Sequence, residues 1–449
     1  MSQSAAPTSL GRLLRTWRWL VVATSLLLWW IIGQFDKTNV SLIIAEPAFL
    51  QELQLEGRNA ELGGLMSAFF LGYGGSIFFW GFLVDRVGPR RCLIAGTVGW
   101  GAVLLWMSQA ASLQELLIAR FLLGAAEGNM WPVSNALTNR WFPVHEHSRA
   151  QAFWLSGAML GTALGIPVMS ALLLASGWRG MMLGLAALTV IPILIFSFIA
   201  NRPGSQRGIR PAEVEEIEAD QKRSAAVRKM SFGELLRATS FWYLTATMII
   251  STTTIYTLIQ WIPRFLTTER GLAFDEMTRW ITAGYLLATA LTFAVGYIAD
   301  RTMQRARTAA WTCAVFVVLV LPMAYGLPAR GSAVLLAALV AAPPIIAALN
   351  GALLHTMVQP EAVARGTGIY SGVGTILSAI GPVTFGALIN RLDGEYWGGF
   401  LFLALLNAAG AACYFALHRA ASQPAGESSV PAVAEAGPPG SGGVSVPES

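Results

Sequence analysis

Apolar residues fall along this chain in long blocks separated by short polar ones. Twelve windows of 18 or more residues are apolar and nearly free of charge, at roughly 19–44, 61–84, 92–111, 113–137, 150–175, 180–200, 239–263, 278–299, 308–327, 332–356, 367–390 and 397–417. As a helix, each is long enough to cross a hydrocarbon layer of ~30 Å. Lipid offers no partner to a bare peptide group, so the segments are predicted to be helices that satisfy their own backbones. The expected fold class is an all-α, multi-pass membrane protein with twelve transmembrane helices. The first window follows Arg12, Arg15 and Arg18, as a signal peptide would. Its apolar run is too long for that, and no small-residue cleavage site follows, so it is read as a retained first helix.

The polar blocks divide the chain. Residues 1–18 form an N-terminal tail, 19–200 hold six windows, 201–238 form the longest internal polar stretch, and 239–418 hold six more. The stretch "PAEVEEIEADQKR" reads as a short surface helix in a solvated linker. Residues 419–449 form a tail, and its Pro-, Gly- and Ser-rich part from Ser422 onward is expected to be disordered.

Composition agrees with the block pattern. Of 449 residues 55% are hydrophobic and 12% charged, against about 25% charged in a soluble domain. The net charge of +5 matters less than its distribution. With the N-terminus placed in the cytoplasm, 21 Lys and Arg fall on the inner face, seven on the outer face and two inside spans. That bias predicts both termini in the cytoplasm. Cys92, Cys313 and Cys413 lie in or beside spans, where ordinary packing is expected.

The two halves share a signature. "GFLVDR" closes the second window at Gly81–Arg86, and "GYIADR" closes the eighth at Gly296–Arg301. Their aspartates, Asp85 and Asp300, are about half a chain apart, as in a two-fold repeat of six-helix bundles. "GFLVDRVGPRR" resembles the cytoplasmic loop motif of the major facilitator superfamily, through Gly81, Leu83, Asp85, Arg86, Gly88, Arg90 and Arg91. The resemblance implies two pseudo-symmetric six-helix bundles. It also implies a gating role for this loop and for Asp300 and Arg301.

Four ionisable groups interrupt the apolar windows: Asp36 and Lys37 in the first, Arg120 and Glu127 in the fourth. A charge near the bilayer centre costs roughly 2.5–3.5 kcal/mol even on a lenient scale, so these must face one another or a wet interior. At 1.5 Å per residue, Asp36 and Arg120 lie at similar depths of ~13 and ~10 Å, which makes an Asp36–Arg120 pair, or one assisted by Lys37, geometrically possible. Glu127, seven residues on, shares the face of Arg120 about 10 Å deeper. Lys37 is one of only three lysines, so its place inside a span is not background usage. Such a set can orient an anion, most simply a carboxylate, and can take up and release protons.

"FDKTNVS" and "RFLLGAAEGNMWP" resemble the first- and fourth-helix patterns of the anion:cation symporter branch, which carries galactonate, glucarate, hexuronates and related organic acids. Arg120, Gly124, Glu127 and Pro132 fit the pattern; Lys37 stands where that branch typically has arginine. The resemblance implies proton coupling at Asp36 and Glu127 and substrate contact at Lys37 and Arg120. The second half offers only neutral polar groups deep in its windows. Tyr256, Gln260, Ser371 and Thr375 are the candidates there, with Gln34 and Tyr73 in the first half; helix–helix hydrogen bonding is an equal reading for each. The sixteen tryptophans are expected mostly in interfacial belts, and Gly157, Gly161 and Gly165 in a close helix crossing.

No Gly-Lys pair occurs, which excludes a Walker A loop. No metal-ligand spacing or nucleophile–base arrangement is visible, and topology accounts for the basic loops without nucleic acid. The expectation is therefore a secondary transporter, not an enzyme, without a cofactor. It works as a monomer in a bacterial inner membrane, with protons, a small organic anion and the bilayer as partners. Export or exchange is the alternative within the class, and a membrane ligand sensor the alternative outside it.

Overall fold

The computed structural model describes residues 16–143, 146–224, 237, 239–302, 304–325, 327–357 and 370–422. Every regular element among them is helical. Among the described residues, eight runs are long and apolar enough to cross a membrane. Large apolar side chains such as Leu174, Phe198, Val318 and Leu405 cover the outer surface, as a lipid-facing surface requires.

Before the linker, α1 covers Arg18–Ile43, its first six residues forming a π-helical turn over Arg18–Ala23. There follow α2 (Pro47–Glu52), α3 (Asn59–Val87), α4 (Pro89–Met107), α5 (Leu113–Glu127), α6 (Met130–Trp141), α7 (His147–Leu188) and α8 (Val190–Ser197). The linker carries α9 (Pro211–Ser224). After it come α10 (Thr239–Arg264), α11 (Phe274–Thr302), α12 (Arg305–Val320), α13 (Ala329–Leu339), α14 (Ala342–Met357), α15 (Tyr370–Arg391) and α16 (Trp397–Ser422).

Local chemistry sets the joints. At the start of α5 the Ser112 hydroxyl accepts from the Glu115 N–H, and the Glu115 carboxylate accepts from the Ala111 N–H. This reciprocal arrangement satisfies donors the helix cannot. The fourth predicted span is not one helix: a two-residue turn at Gly128 and Asn129 separates α5 from α6, directly after Glu127. The boundary predicted between 175 and 180 appears inside α7 at Gly177, whose φ of 69° and ψ of 177° break the helix.

Small residues bring the helices that carry charge together. Cβ atoms added at Gly157, Gly161 and Gly165 of α7 would run into Leu27, Ile31 and Phe35 of α1, so the expected stripe is a close crossing. At the α3–α5 crossing the fit is reciprocal. A Cβ on Gly72 would meet the Phe121 carbonyl, and one on Gly124 the Phe69 carbonyl. Backbone rests on backbone there, between Arg120 and Glu127.

Helices from before and after the linker meet along one seam. Gly63, Ser67 and Gly74 of α3 lie against Pro382, Ala379 and Ile376 of α15. Asn59 donates to Asn390 at 2.9 Å, Gln260 to the Leu62 carbonyl at 3.0 Å, and Arg264 to the Ile44 carbonyl at 2.6 Å. Several tryptophans are packed among the helices and not at the outer surface. Trp29, Trp100, Trp141, Trp154 and Trp261 are fully buried. The indoles of Trp141, Trp154 and Trp261 donate to Ala200, Thr138 and Pro382, which removes the penalty of burying them. The expected disordered tail lies outside the described residues beyond Ser422.

Candidate functional site

All four charged groups of the first and fourth windows converge. Asp36, Lys37, Arg120 and Glu127 are at most 3% exposed. Lys37 Nζ donates to Glu127 Oε2 at 2.6 Å and to the Gly33 carbonyl at 3.1 Å. Arg120 makes no ion pair with the Asp36 carboxylate. Its Nη1 donates to the Asp36 backbone carbonyl at 3.4 Å, its Nε to the Leu65 carbonyl at 3.3 Å, and its Nη2 points at Met66 Sδ, 3.7 Å away.

This corrects the pairing that matched Cα depths suggest. Long side chains on a helix lean toward its N-terminus. α1 runs antiparallel to the α5–α6 pair, as the Lys37–Glu127 contact with α5 and the Trp30–Ser134 contact with α6 show. Lys37 therefore leans back one turn to Gly33 and reaches the level of Glu127, while Arg120 leans the opposite way, toward α3 and the Asp36 main chain.

An aromatic wall completes the site. Lys37 Nζ lies 5.4 Å from the ring centres of both Phe69 and Tyr73, and the Arg120 guanidinium 4.7 Å from that of Phe69. The close approach at Gly72 and Gly124 is what holds these rings against α5. Tyr256 of α10 packs on Phe70 with ring centres 4.1 Å apart, which brings the second half to this wall. Two carboxylate oxygens, Asp36 Oδ2 and Glu127 Oε1, are buried without a hydrogen-bond partner. The other Asp36 oxygen accepts from Asn39 Nδ2 at 2.5 Å. Asn39 was not anticipated, although its position three residues after Asp36 in a helix was the available signal.

The remaining candidates divide. Gln34 donates to Thr162 at 3.2 Å, and Gln260 is committed to the Leu62 carbonyl, so both serve helix contacts here. Tyr73 and Tyr256 stand beside the charged cluster. Ser371 and Thr375 are buried in α15, one turn apart.

The loop motif is anchored by a residue the sequence did not single out. Gly88, at φ 95°, links α3 to α4 in a conformation that disfavours any side chain. Asn201 Oδ1 accepts from the Arg90 N–H at 3.0 Å, capping α4, and Arg90 Nη2 donates to the Ser197 carbonyl. Gly81, Asp85 and Arg91 accompany them on α3 and α4, with Asp85 and Arg91 exposed. The two matching segments share a local contact. Arg86 lies over Phe82 at 3.9 Å, and Arg301 over Tyr297 at 4.7 Å, an aromatic four residues earlier each time. Asp300 lies in the last turn of α11, and its side chain is outside the described set.

Comparison with known proteins bears on this arrangement. The chain is 26% identical over 395 residues to a probable sulfoacetate transporter of Cupriavidus necator, covering 86% of this chain and 90% of that protein. It is 24% identical over 382 residues to a hexuronate transporter of Bacillus subtilis, covering 83% and 88%. A D-galactonate transporter of Escherichia coli is 26% identical over 290 residues, covering 61% and 65%. The fold matches the crystal structure of a bacterial homologue of the human lysosomal transporter Spinster in an inward-facing, unoccupied conformation. That match has a TM-score of 0.69 and 18% identity, covering 89% of this chain and 96% of the other. Residues 18–343 match the Major Facilitator Superfamily. The chain belongs to that superfamily, and it is a membrane transporter, not an enzyme.

Proposed function

We propose that this protein is a proton-coupled symporter that takes up a small organic anion, a carboxylate in the simplest case, by alternating access. Counted with Arg149–Ser197 as two passes and with α4, α5–α6 and α10 included, the helices make twelve spans. These form two six-helix halves, 19–200 and 239–418, with both termini in the cytoplasm of a bacterial inner membrane. A single chain is the transport unit. The relatives named for sulfoacetate, hexuronate and galactonate support an organic anion as cargo.

The observation that carries the reading is the buried Lys37–Glu127 pair. Neither member is stable alone at that depth. A proton on Glu127 leaves Lys37 uncompensated until an anion arrives; an anion on Lys37 is unwelcome until Glu127 is neutral. Proton and substrate therefore favour each other's binding, which is the thermodynamic content of symport. Asp36 and Glu127 each keep one bare oxygen on which a proton can sit. Lys37 supplies a point charge for the anion, Arg120 holds the local field positive from behind Phe69, and Tyr73 and Tyr256 contribute phenol donors. The neutral residues of the second half, Ser371 and Thr375 among them, meet the rest of the substrate. Gly81, Asp85, Arg86, Gly88, Arg90, Arg91, Asp300 and Arg301 serve the gate at the helix ends.

The test is uptake into proteoliposomes of a panel of radiolabelled carboxylates and sulfonates under an imposed pH gradient. Gradient-driven accumulation of at least one is expected. Uptake that ignores both the gradient and a protonophore would overturn proton coupling.

A further inference from the structure

The acidic linker helix, expected to lie free in solvent, is docked. One face of α9 is buried, through Glu213 and Ile217, one turn apart. Its partner is Arg18, the first residue of α1, itself only 2% exposed. Arg18 Nε lies 3.0 Å from Glu146 Oε2, and Nη1 lies 3.0 Å from Glu216 Oε2 and 3.7 Å from Glu213 Oε1. The backbone N–H groups of Trp17 and Arg18 donate to the Glu213 carboxylate, and the Trp19 indole donates to Glu146 at 2.9 Å. Gln221 extends the contact to the Asn139 carbonyl at 2.8 Å, and Trp17 stacks on Trp141. Arg149, 3.9 Å from Glu146, is a second cation at that carboxylate.

The planar fork of arginine is what allows one side chain to serve acids from two separate segments. The acids come from the loop after α6 and from the linker helix; the arginine comes from the base of the helix that carries Asp36 and Lys37. The same six residues, Arg18–Ala23, form the π-helical turn of α1. Such turns recur at functional points of helices, where an extra residue per turn changes the register of everything above. A clamp and a register change thus coincide at the foot of α1.

From this coincidence we infer that Arg18 is a positioning residue: it makes α9 part of the first helical half and seats α1, so that the rate of the conformational cycle depends on the clamp. The rate component rests on the transport reading above; the docking does not.

Two measurements on the full chain in proteoliposomes test it. Spin labels replacing Ala152 of α7 and Glu218 of α9, both exposed, should give one narrow distance with Arg18 present and a broad distribution in Arg18→Gln. In initial-rate uptake of whichever panel anion the wild type accumulates, Arg18→Gln should lower the maximal rate roughly tenfold, a size found for residues away from the ligand. The half-saturation concentration should not change. Arg18→Lys, which keeps the charge without the fork, should restore part of the rate. If Arg18→Gln does not fold, the Glu213→Gln/Glu216→Gln variant serves, with the same expectations. A narrow distance in the variants, or a broad one at the wild-type maximal rate, overturns the proposal, as does a change confined to half-saturation. If the wild type accumulates nothing, the transport reading fails, and the label distances still decide the docking.

Discussion

The two halves of this molecule treat buried polarity in opposite ways. Before the linker, four ionisable side chains are packed among rings with two carboxylate oxygens left bare. After it, among the described residues, the buried polar groups are neutral and knit helices together, apart from Arg264 at the end of α10. Thr247 donates to Asn350 Oδ1 at 3.1 Å, Tyr414 to the same oxygen at 2.5 Å, Asn407 to Thr254 at 2.9 Å, and Ser251 to the Pro343 carbonyl at 2.9 Å. A neutral hydrogen bond in a membrane interior contributes about 0.6 kcal/mol on average. Breaking a buried charge pair costs roughly 3–5 kcal/mol. Of these interactions, the charge pair is the one a proton can switch, which is why the proposed coupling is placed in the first half.

Four substitutions sharpen or break this contrast. The largest effect is expected at Arg120. Arg120→Ala leaves the acids without their second cation, and uptake should fall at least ~100-fold in proteoliposomes while detergent-purified protein remains monodisperse. Retained uptake would remove Arg120 from the switch. Glu127→Gln comes next. It mimics the protonated acid, so accumulation driven by the pH gradient should vanish while substrate exchange across the membrane continues; a variant still accumulating against its gradient would break the assignment of the switch to this residue.

Asn350→Ala should act far less. Loss of one neutral hub should lower stability by about 1 kcal/mol, seen as a small fall in thermal midpoint, with pH-driven uptake preserved. A loss of coupling as large as that of Glu127→Gln would show that the second half also carries the switch. The smallest effect is expected at Glu52 of α2, outside the membrane segments. The Trp178 indole N–H, at 2.8 Å, and then Arg179 hold its carboxyl below its ordinary value of 4.5. The paired form is favoured above that value and lost as pH falls through the lower folded one. Glu52→Gln should therefore change thermal stability only slightly at neutral pH, and the difference from wild type should shrink further in acid. Water screens this pair, whereas burial among the helices leaves Lys37–Glu127 unscreened.

Much of the architecture was legible because burial in lipid writes directly into composition. Window positions anticipate the helix runs, including the break at Gly177, and a lone lysine in a span points at its own importance. The convergence of α1 and α5 followed from counting residues along helices. What could not be counted was side-chain lean. Matched Cα depths favour Asp36 with Arg120, yet the two long cations reach away from each other along antiparallel helices, and Lys37 takes Glu127 instead. The docked face of α9 was illegible for a different reason. "PAEVEEIEADQKR" has the composition of a solvated helix, and the guanidinium that buries Glu213 lies 195 residues earlier in sequence. Gln34 and Gln260 show the same limit, because an amide in a span looks alike whether it meets cargo, a neighbouring hydroxyl or a carbonyl.

Arg120 leans on the main-chain oxygens of Leu65 and Asp36 more than on any side chain. Main-chain oxygens survive every substitution, so drift among the surrounding residues leaves this cation anchored. Altered cargo preference would then arise on the opposite bank, from rings and hydroxyls such as Phe69, Tyr73 and Tyr256. A designer wishing to retune this carrier would begin there and leave the guanidinium alone.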